Sequence, residues 1–128
     1  KKLDFQLEST PEGGWIRADL QTIRQVFQNL IENAVKYTES GFVKIKVETN
    51  AGQFSFSVVD SGPGMSEEVL AHLFEEFRRD SVSAKKVEGA GLGLFIAKKI
   101  AVAHRGEIWA ESEGLGKGSA FFVKIPLV

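Results

Sequence analysis

The chain contains no cysteine, three prolines and one methionine. Without cysteine there is no disulfide, no thiolate zinc site and no thiol nucleophile. No apolar run approaches membrane-spanning length, and no N-terminal secretory signal pattern is present. Charge of one sign is lacking too. A formal net charge of -1 provides no broad basic field for nucleic acid or an anionic membrane surface. The two histidines, His72 and His104, stand far apart in sequence.

What the chain does have is apolar content of 43% and charged content of 26% over 128 residues. Those values fit one globular domain, 1–128, large enough to bury its own core. The sequence opens on Lys1-Lys2-Leu3-Asp4-Phe5 without methionine, and the expectation is a domain excised from a longer protein.

Hydrophobic periodicity divides the chain into elements. Lys2 to Glu8 alternates as a strand with Leu3, Phe5 and Leu7 on one face, Pro11 to Gly14 is a turn, and Trp15 to Ala18 suits a short strand. Asp19 is placed to cap a helix, and from Leu20 to Tyr37 the apolar residues Ile23, Val26, Phe27, Leu30, Ile31 and Ala34 recur at helical spacing. Phe42 to Thr49 and Gln53 to Val59 alternate as the arms of a hairpin about Asn50-Ala51-Gly52. Ser66 caps a short helix running through Leu73. A polar stretch from Arg78 to Gly89 lacks periodicity and reads as a loop, about 78–90, that is not ordered on its own. Leu92 to His104 is a second long helix with Phe95, Ile96, Ile100 and Ala103 as its stripe and Gly106 as its cap. Glu107 to Glu113 and Ser119 to Leu127 are strands, with Pro126 marking an edge or a strand end. The sum is an α+β two-layer sandwich, with helices packed on one face of a mixed, mostly antiparallel sheet.

Four short segments carry chemistry: one on the first long helix, Asp60 to Gly64, Gly89 to Leu94, and Gly116 to Ser119. On the first long helix Asn29, Asn33 and Lys36 fall within roughly 60° of one another, beside the apolar stripe, with Tyr37 at its edge. Amide oxygens are hard ligands suited to Mg²⁺, and an ammonium neutralises phosphate. The same pattern is also an ordinary polar shoulder of an amphipathic helix. Asp60-Ser61-Gly62-Pro63-Gly64 ends a hydrophobic strand. Its carboxylate can accept from an exocyclic amine and its glycines admit a flat ring, although turn chemistry would also account for it. Gly89-Ala90-Gly91-Leu92-Gly93-Leu94 opens a helix, whose free N–H groups and dipole favour phosphate. It is neither a dinucleotide fingerprint nor a Walker A loop, and a flexible linker is the alternative. Arg78, Arg79, Lys85 and Lys86 can fold over a polyphosphate or simply face solvent.

In this order, with Phe74-Glu75-Glu76-Phe77 between the second and third segments and Gly116-Lys117-Gly118-Ser119 after them, the segments resemble the ATP-binding domain of bacterial sensor histidine kinases. That family sits in the superfamily of gyrase B, Hsp90 and MutL. The N box reads Asn29 through Asn33-Ala34-Val35-Lys36-Tyr37-Thr38, the G1 box Asp60 to Gly64, the F box Phe74 to Phe77, and the G2 box Gly89 to Leu94.

The resemblance implies a Bergerat-type, left-handed β-α-β sandwich that binds Mg-ATP and donates its γ-phosphate to a histidine on a separate dimerisation domain. It implies that Asp60 reads the adenine amino group, with Ser119 nearby through water and Gly62 and Gly64 close to the base. Asn33 would ligate Mg²⁺ with Asn29 in support, and Lys36 and Arg79 would contact phosphate. Tyr37 would flank the nucleoside, and Gly89, Gly91, Leu92, Gly93 and Leu94 would hold the triphosphate. The partners implied are ATP, that dimerisation domain and a response regulator. The fragment is expected to be monomeric and cytoplasmic, from a parent that a membrane anchor could hold. Hydrolytic members of the superfamily place Glu where Asn29 stands. A stand-alone serine kinase and a nucleotide sensor without transfer remain as alternatives.

Overall fold

The structure, a computed structural model, describes residues 2–9, 15–75 and 90–128, and of Lys2, Ala90, Gly91 and Leu92 the backbone only. The turn expected at Pro11 to Gly14, the lid at about 78–90, and Glu76, Phe77, Arg79 and Gly89 lie outside or largely outside the described residues.

Five strands form one sheet in the order β1-β2-β3-β5-β4, with β1 Lys2–Ser9, β2 Ser40–Asn50, β3 Gln53–Asp60, β4 Glu107–Glu111 and β5 Ser119–Pro126. The β1/β2 pair is parallel and the other pairs are antiparallel, so the expected mixed sheet is observed. Helix α1 spans Leu20–Tyr37, α2 Glu67–His72 and α3 Ala90–Ala103. The helices lie on one face.

Each boundary has a local cause. Asp19 is extended and its carboxylate accepts from the N–H of Gln21 at 3.0 Å and of Thr22 at 3.4 Å, which satisfies two of the unpaired donors at the start of α1. Ser66 does the same for α2 through the Val69 N–H at 3.2 Å. At the hairpin Ala51 and Gly52 both take positive φ, 53° and 77°, the signature of a tight turn whose twist suits antiparallel strands.

The core lies between α1, α3 and the inner row of the sheet. Ile23, Val26, Leu30 and Ala34 of α1 meet Val43, Phe56, Val58, Phe121 and Val123. Phe27 stacks on Phe56 with ring centroids 4.4 Å apart. The buried face of α3 is Leu94, Ala97 and Ala101, whereas the sequence pattern favoured Phe95, Ile96, Ile100 and Ala103. Of these Phe95, Ile96 and Ile100 are half-buried and Ala103 is exposed. This helix is apolar nearly all round, so spacing alone does not choose a face. Packing chose the small residues, which let α3 approach α1 closely.

Three further expectations change. Trp15 to Ala18 is irregular rather than a strand, tied down by one bond from the Val128 N–H to the Trp15 carbonyl at 2.7 Å. β4 stops at Glu111 because the Ser112 side chain turns to loop bonds. At the end of α3 the left-handed residue is Arg105, φ 62°, with the Gly106 N–H reaching back to Ala101 O at 2.8 Å and the Arg105 N–H to Val102 O at 2.9 Å. This is a Schellman closure one residue earlier than expected. Gly106 is required for space, since a Cβ there would run into the carbonyl oxygen of Lys124.

His104 then joins the two long helices. The Asp19 N–H donates to its Nε2 at 3.1 Å, so Nδ1 carries the proton and donates to Ile100 O at 2.8 Å. Leu3, Phe5 and Leu7 do share a face, but Phe5 is 51% and Leu7 72% exposed. The helices pack on β3, β4 and β5 and do not cover the β1 edge.

Leu30, fully buried, and Leu20, 70% exposed on the same helix, give a paired test. Leu30→Ala should cost about 2–5 kcal/mol of unfolding free energy, and Leu20→Ala less than about 0.5 kcal/mol. Urea denaturation of both variants checks the assignment of the core stripe, and comparable losses would contradict it.

Candidate functional site

The centre of the site is a carboxylate on the core face of the sheet. Inward residues of β3 follow the two-residue period Phe54, Phe56, Val58, and the next in that row is Asp60. Its partner across β5 is Ser119, which begins the inward row Phe121, Val123, Ile125, and its partner across β2 is Val43. Asp60 is only 6% exposed. Burial pushes its pKa above the ordinary carboxylate value, and the backbone N–H groups of Gly62 and Ser119 pull the other way without cancelling the shift. The Gly62 N–H donates to Oδ1 at 2.9 Å.

The G1 segment then folds onto the end of α1. A Cβ on Gly62 would stand 3.0 Å from Asp60 Oδ1, 3.0 Å from Thr38 Oγ1 and 3.4 Å from the Tyr37 carbonyl oxygen. Any side chain there would push the end of α1 away from β3. On its far side the same segment rests on the 112–119 turn, with the Gly116 N–H donating to Pro63 O at 2.6 Å and Gly64 lying against the Gly114 carbonyl. Ser112 is the joint. Its Oγ accepts from the Met65 N–H at 3.0 Å and the Gly114 N–H at 3.2 Å, and donates to Gly118 O at 2.8 Å. The sequence reading passed over Ser112, although a serine two residues before a glycine is a recognisable turn signal.

The N box meets the G2 segment through one amide. Asn29 Nδ2 donates to Gly93 O at 3.1 Å, which sets the middle of α1 against the first turn of α3. Asn33, one turn further along α1, is half-buried; Lys36 is exposed in the last turn; Tyr37 is half-buried, and burial raises its phenol pKa. Because α3 begins at Ala90, Gly91, Leu92 and Gly93 sit in its first turn, where backbone N–H groups lack intrahelical partners. Leu94 has its side chain in the core, 5% exposed.

Thus direct contacts join Asn29 to Gly93 and gather Tyr37, Asp60, Gly62, Gly64 and Ser119 about the end of β3, while Asn33 and Lys36 follow Asn29 along the same side of α1. Glu32, the carboxylate nearest the N-box asparagines in sequence, is exposed and accepts from Gln28 Nε2 at 2.9 Å. Among the described residues no three His, Cys, Asp or Glu side chains cluster to hold a metal, and no helix is long and apolar enough to cross a membrane.

Residues 18–128 match the family model of histidine kinase-, DNA gyrase B- and HSP90-like ATPases. The chain is 37% identical over 129 residues to the adaptive-response sensory kinase SasA of a Synechococcus species, covering 99% of this chain and 34% of that protein. It is 40% identical over 133 residues to the sensor histidine kinase AruS of Pseudomonas aeruginosa, covering 98% of this chain and 13% of that protein. Among solved structures, the catalytic domain of histidine kinase ThkA superposes with TM-score 0.82 at 36% identity, covering 97% of this chain and 78% of that one. Full-length ShkA in complex with AMPPNP superposes with TM-score 0.84 at 32% identity, covering 98% and 26%. The chain therefore spans a minor part of both curated relatives.

The Asp60 environment has a definite pH signature. A folded-state pKa above the ordinary value means that the folded protein takes up this proton before the unfolded chain does as pH falls. Ionised Asp60 costs the fold stability at neutral pH, and the cost fades as pH drops through the raised value. Relative to Asp60→Asn, the wild-type chain should therefore gain unfolding free energy between neutral and mildly acid pH. Urea denaturation over that range reads the difference, and a wild-type loss relative to the variant would contradict the assigned burial.

Proposed function

The chain belongs to the histidine kinase-, DNA gyrase B- and HSP90-like ATPase family, and from that premise we propose that it binds Mg-ATP and donates the γ-phosphate to a histidine on a separate dimerisation domain. In this reading it is a single catalytic unit of a cytoplasmic kinase module that passes phosphate on to a response regulator. The observation that carries the choice of transfer over hydrolysis is Asn29. Hydrolytic members of the superfamily place a glutamate at this position to activate water. Here an amide stands there with its nitrogen tied to Gly93 O, and Glu32 is engaged with Gln28 on the exposed side of α1.

The residues suit the chemistry. Phosphoryl transfer is catalysed chiefly by positioning and charge neutralisation. With its nitrogen fixed on Gly93, the Asn29 amide has its oxygen left as a hard donor, and Asn33 supplies a second on the same side of the helix. Such oxygens fit Mg²⁺, which keeps several waters and shares its remaining sites with phosphate oxygens. When bound, the ion would neutralise phosphate charge. Asp60 accepts from the amino group of adenine, and Gly62 keeps the space beside it open. The first turn of α3 offers backbone N–H groups to the triphosphate, and Lys36 and Arg79 add positive charge.

Neither histidine of this chain suits the acceptor role. Both ring nitrogens of His104 are occupied by the α1–α3 link, and His72 is followed by Leu73. Incubated alone with γ-labelled ATP, the chain should label negligibly. Mixed with the histidine-bearing domain of its own kinase, it should transfer label to that histidine. Strong labelling of His72 or His104, or phosphate release with no transfer, would overturn the reading.

A titration with ATP resolves the individual roles. Asp60→Asn should weaken binding by about ten- to a hundredfold, the equivalent of a charge-assisted acceptor of about 1.5–3 kcal/mol, with or without Mg²⁺. Asn33→Ala should lose affinity with Mg²⁺ present and little in its absence. An Asn33→Ala loss independent of the ion would make that residue structural instead.

A further inference from the structure

The sheet ends on β4, and among the described residues no strand pairs with its outer side. In an antiparallel ladder every second residue turns its N–H and C=O away from the neighbouring strand. One side of β4 is bonded to β5, so the other presents a row of backbone donors and acceptors. Such a row is a template for an extended chain. From Glu107 to Glu111 neither a proline nor a bulge interrupts it.

The two faces of this edge differ in chemistry. On the helix side a groove of about 400 Å³ separates β4 from α3. Val102, 60% exposed, and Lys98 line it from α3, and Ile108 lines it from β4. On the open face of the sheet Glu107 and Glu111 are exposed and flank Trp109. The Trp109 ring is fixed in place: it stacks on Phe122 with centroids 5.2 Å apart, and its Nε1 donates to Glu111 Oε2 at 3.1 Å. Lys124, opposite Glu107 on β5, lies over that ring at 5.8 Å. The ion pairs among the described residues involve neither glutamate, nor Lys98.

We propose that the free edge of β4 docks an extended peptide segment with the alternating pattern basic, apolar, aromatic, apolar, basic. Charge decides the occupant. Side chains opposite one another on paired strands stand about 4.5–5.5 Å apart. Basic residues opposite Glu107 and Glu111 each meet a carboxylate, and the aromatic between them lies against Trp109. The two apolar residues point the other way, into the groove beside Ile108 and Val102, where Lys98 disfavours a further cation. A slip of one residue would turn the cations toward Lys98 and set apolar groups against the glutamates. A second copy of this chain is a poor occupant, because antiparallel pairing of two β4 strands about Trp109 sets each Glu107 against a Glu111.

This inference is independent of the nucleotide reading. The probe is a capped peptide, lysine-valine-tyrosine-valine-lysine, titrated into the wild-type chain while backbone amide signals are followed by NMR. Shifts should gather at Glu107 to Glu111 and at Val102. The same peptide with glutamate in place of lysine should bind at least about tenfold more weakly, the effect of reversing two cross-strand charge pairs. On the doubly substituted chain, Glu107→Lys with Glu111→Lys, the preference should invert. No binding of the lysine peptide, shifts that gather elsewhere, or equal affinity for the two peptides would overturn the inference. So would sedimentation showing a dimer that the double substitution abolishes, since the edge would then belong to a second copy. If a thermal melt shows that the double variant does not fold, Glu107→Gln takes its place and should lose several-fold in affinity for the lysine peptide alone.

Discussion

The arrangement depends on a carboxylate being carried to the end of a hydrophobic row and kept there. Asp60 occupies the position that the pleat of β3 assigns to another core residue. Its ionised form is disfavoured by burial, and two backbone N–H groups, from Gly62 and Ser119, make it tolerable. Those donors come from a loop and from a neighbouring strand, so the carboxylate is also a clasp between them. Three of the motifs are placed with respect to that clasp. The end of α1 abuts Gly62, the 112–119 turn supports Gly64 through Ser112, and β5 begins opposite Asp60. A group that is costly to bury is commonly retained where it does chemistry, and this one lies at the junction of three of the four motifs.

The fourth motif is connected differently. Asn29 and Gly93 join the middle of α1 to the first turn of α3, and His104 with Asp19 joins the end of α3 to the start of α1. The two helices that form the rim are thereby fixed by polar bonds at two points and by small residues, Ala97 and Ala101, between them. A rim held this way keeps Asn29 in register with the first turn of α3. That register is what the proposed phosphate transfer would need, because misplacement by about 1 Å is costly in such a reaction.

Much of this was legible in the sequence, for identifiable reasons. The α1 boundaries followed from Asp19 and from a stripe with a strong polar face, and the β2–β3 hairpin from clean alternation about Asn50-Ala51-Gly52. The burial of Asp60 was also there to be read, as the next step in the row Phe54, Phe56, Val58. What the sequence hid had physical causes. The face of α3 was ambiguous because nearly all its positions are apolar, so the choice of Leu94, Ala97 and Ala101 belongs to its neighbours. The left-handed cap fell on Arg105 because Gly106 was already claimed by the close pass of β5. Ser112 and the structural part played by His104 depend on partners 47 and 85 residues away, which no local pattern announces.

The β1 edge carries a consequence of its own. β2 and β3 are joined by a turn of two residues, whereas β1 reaches β2 only after the chain has built the whole of α1. Closing that long crossover costs more chain entropy than the hairpin does, and Phe5 and Leu7 return little of it, because among the described residues no helix covers them. The ladder of β1 is with β2, at the opposite margin of the sheet from β4. β1 is therefore held to the sheet mainly by its ladder with β2, and loss of that ladder would break none of the bonds that hold Asp60, Asn29 and Gly93.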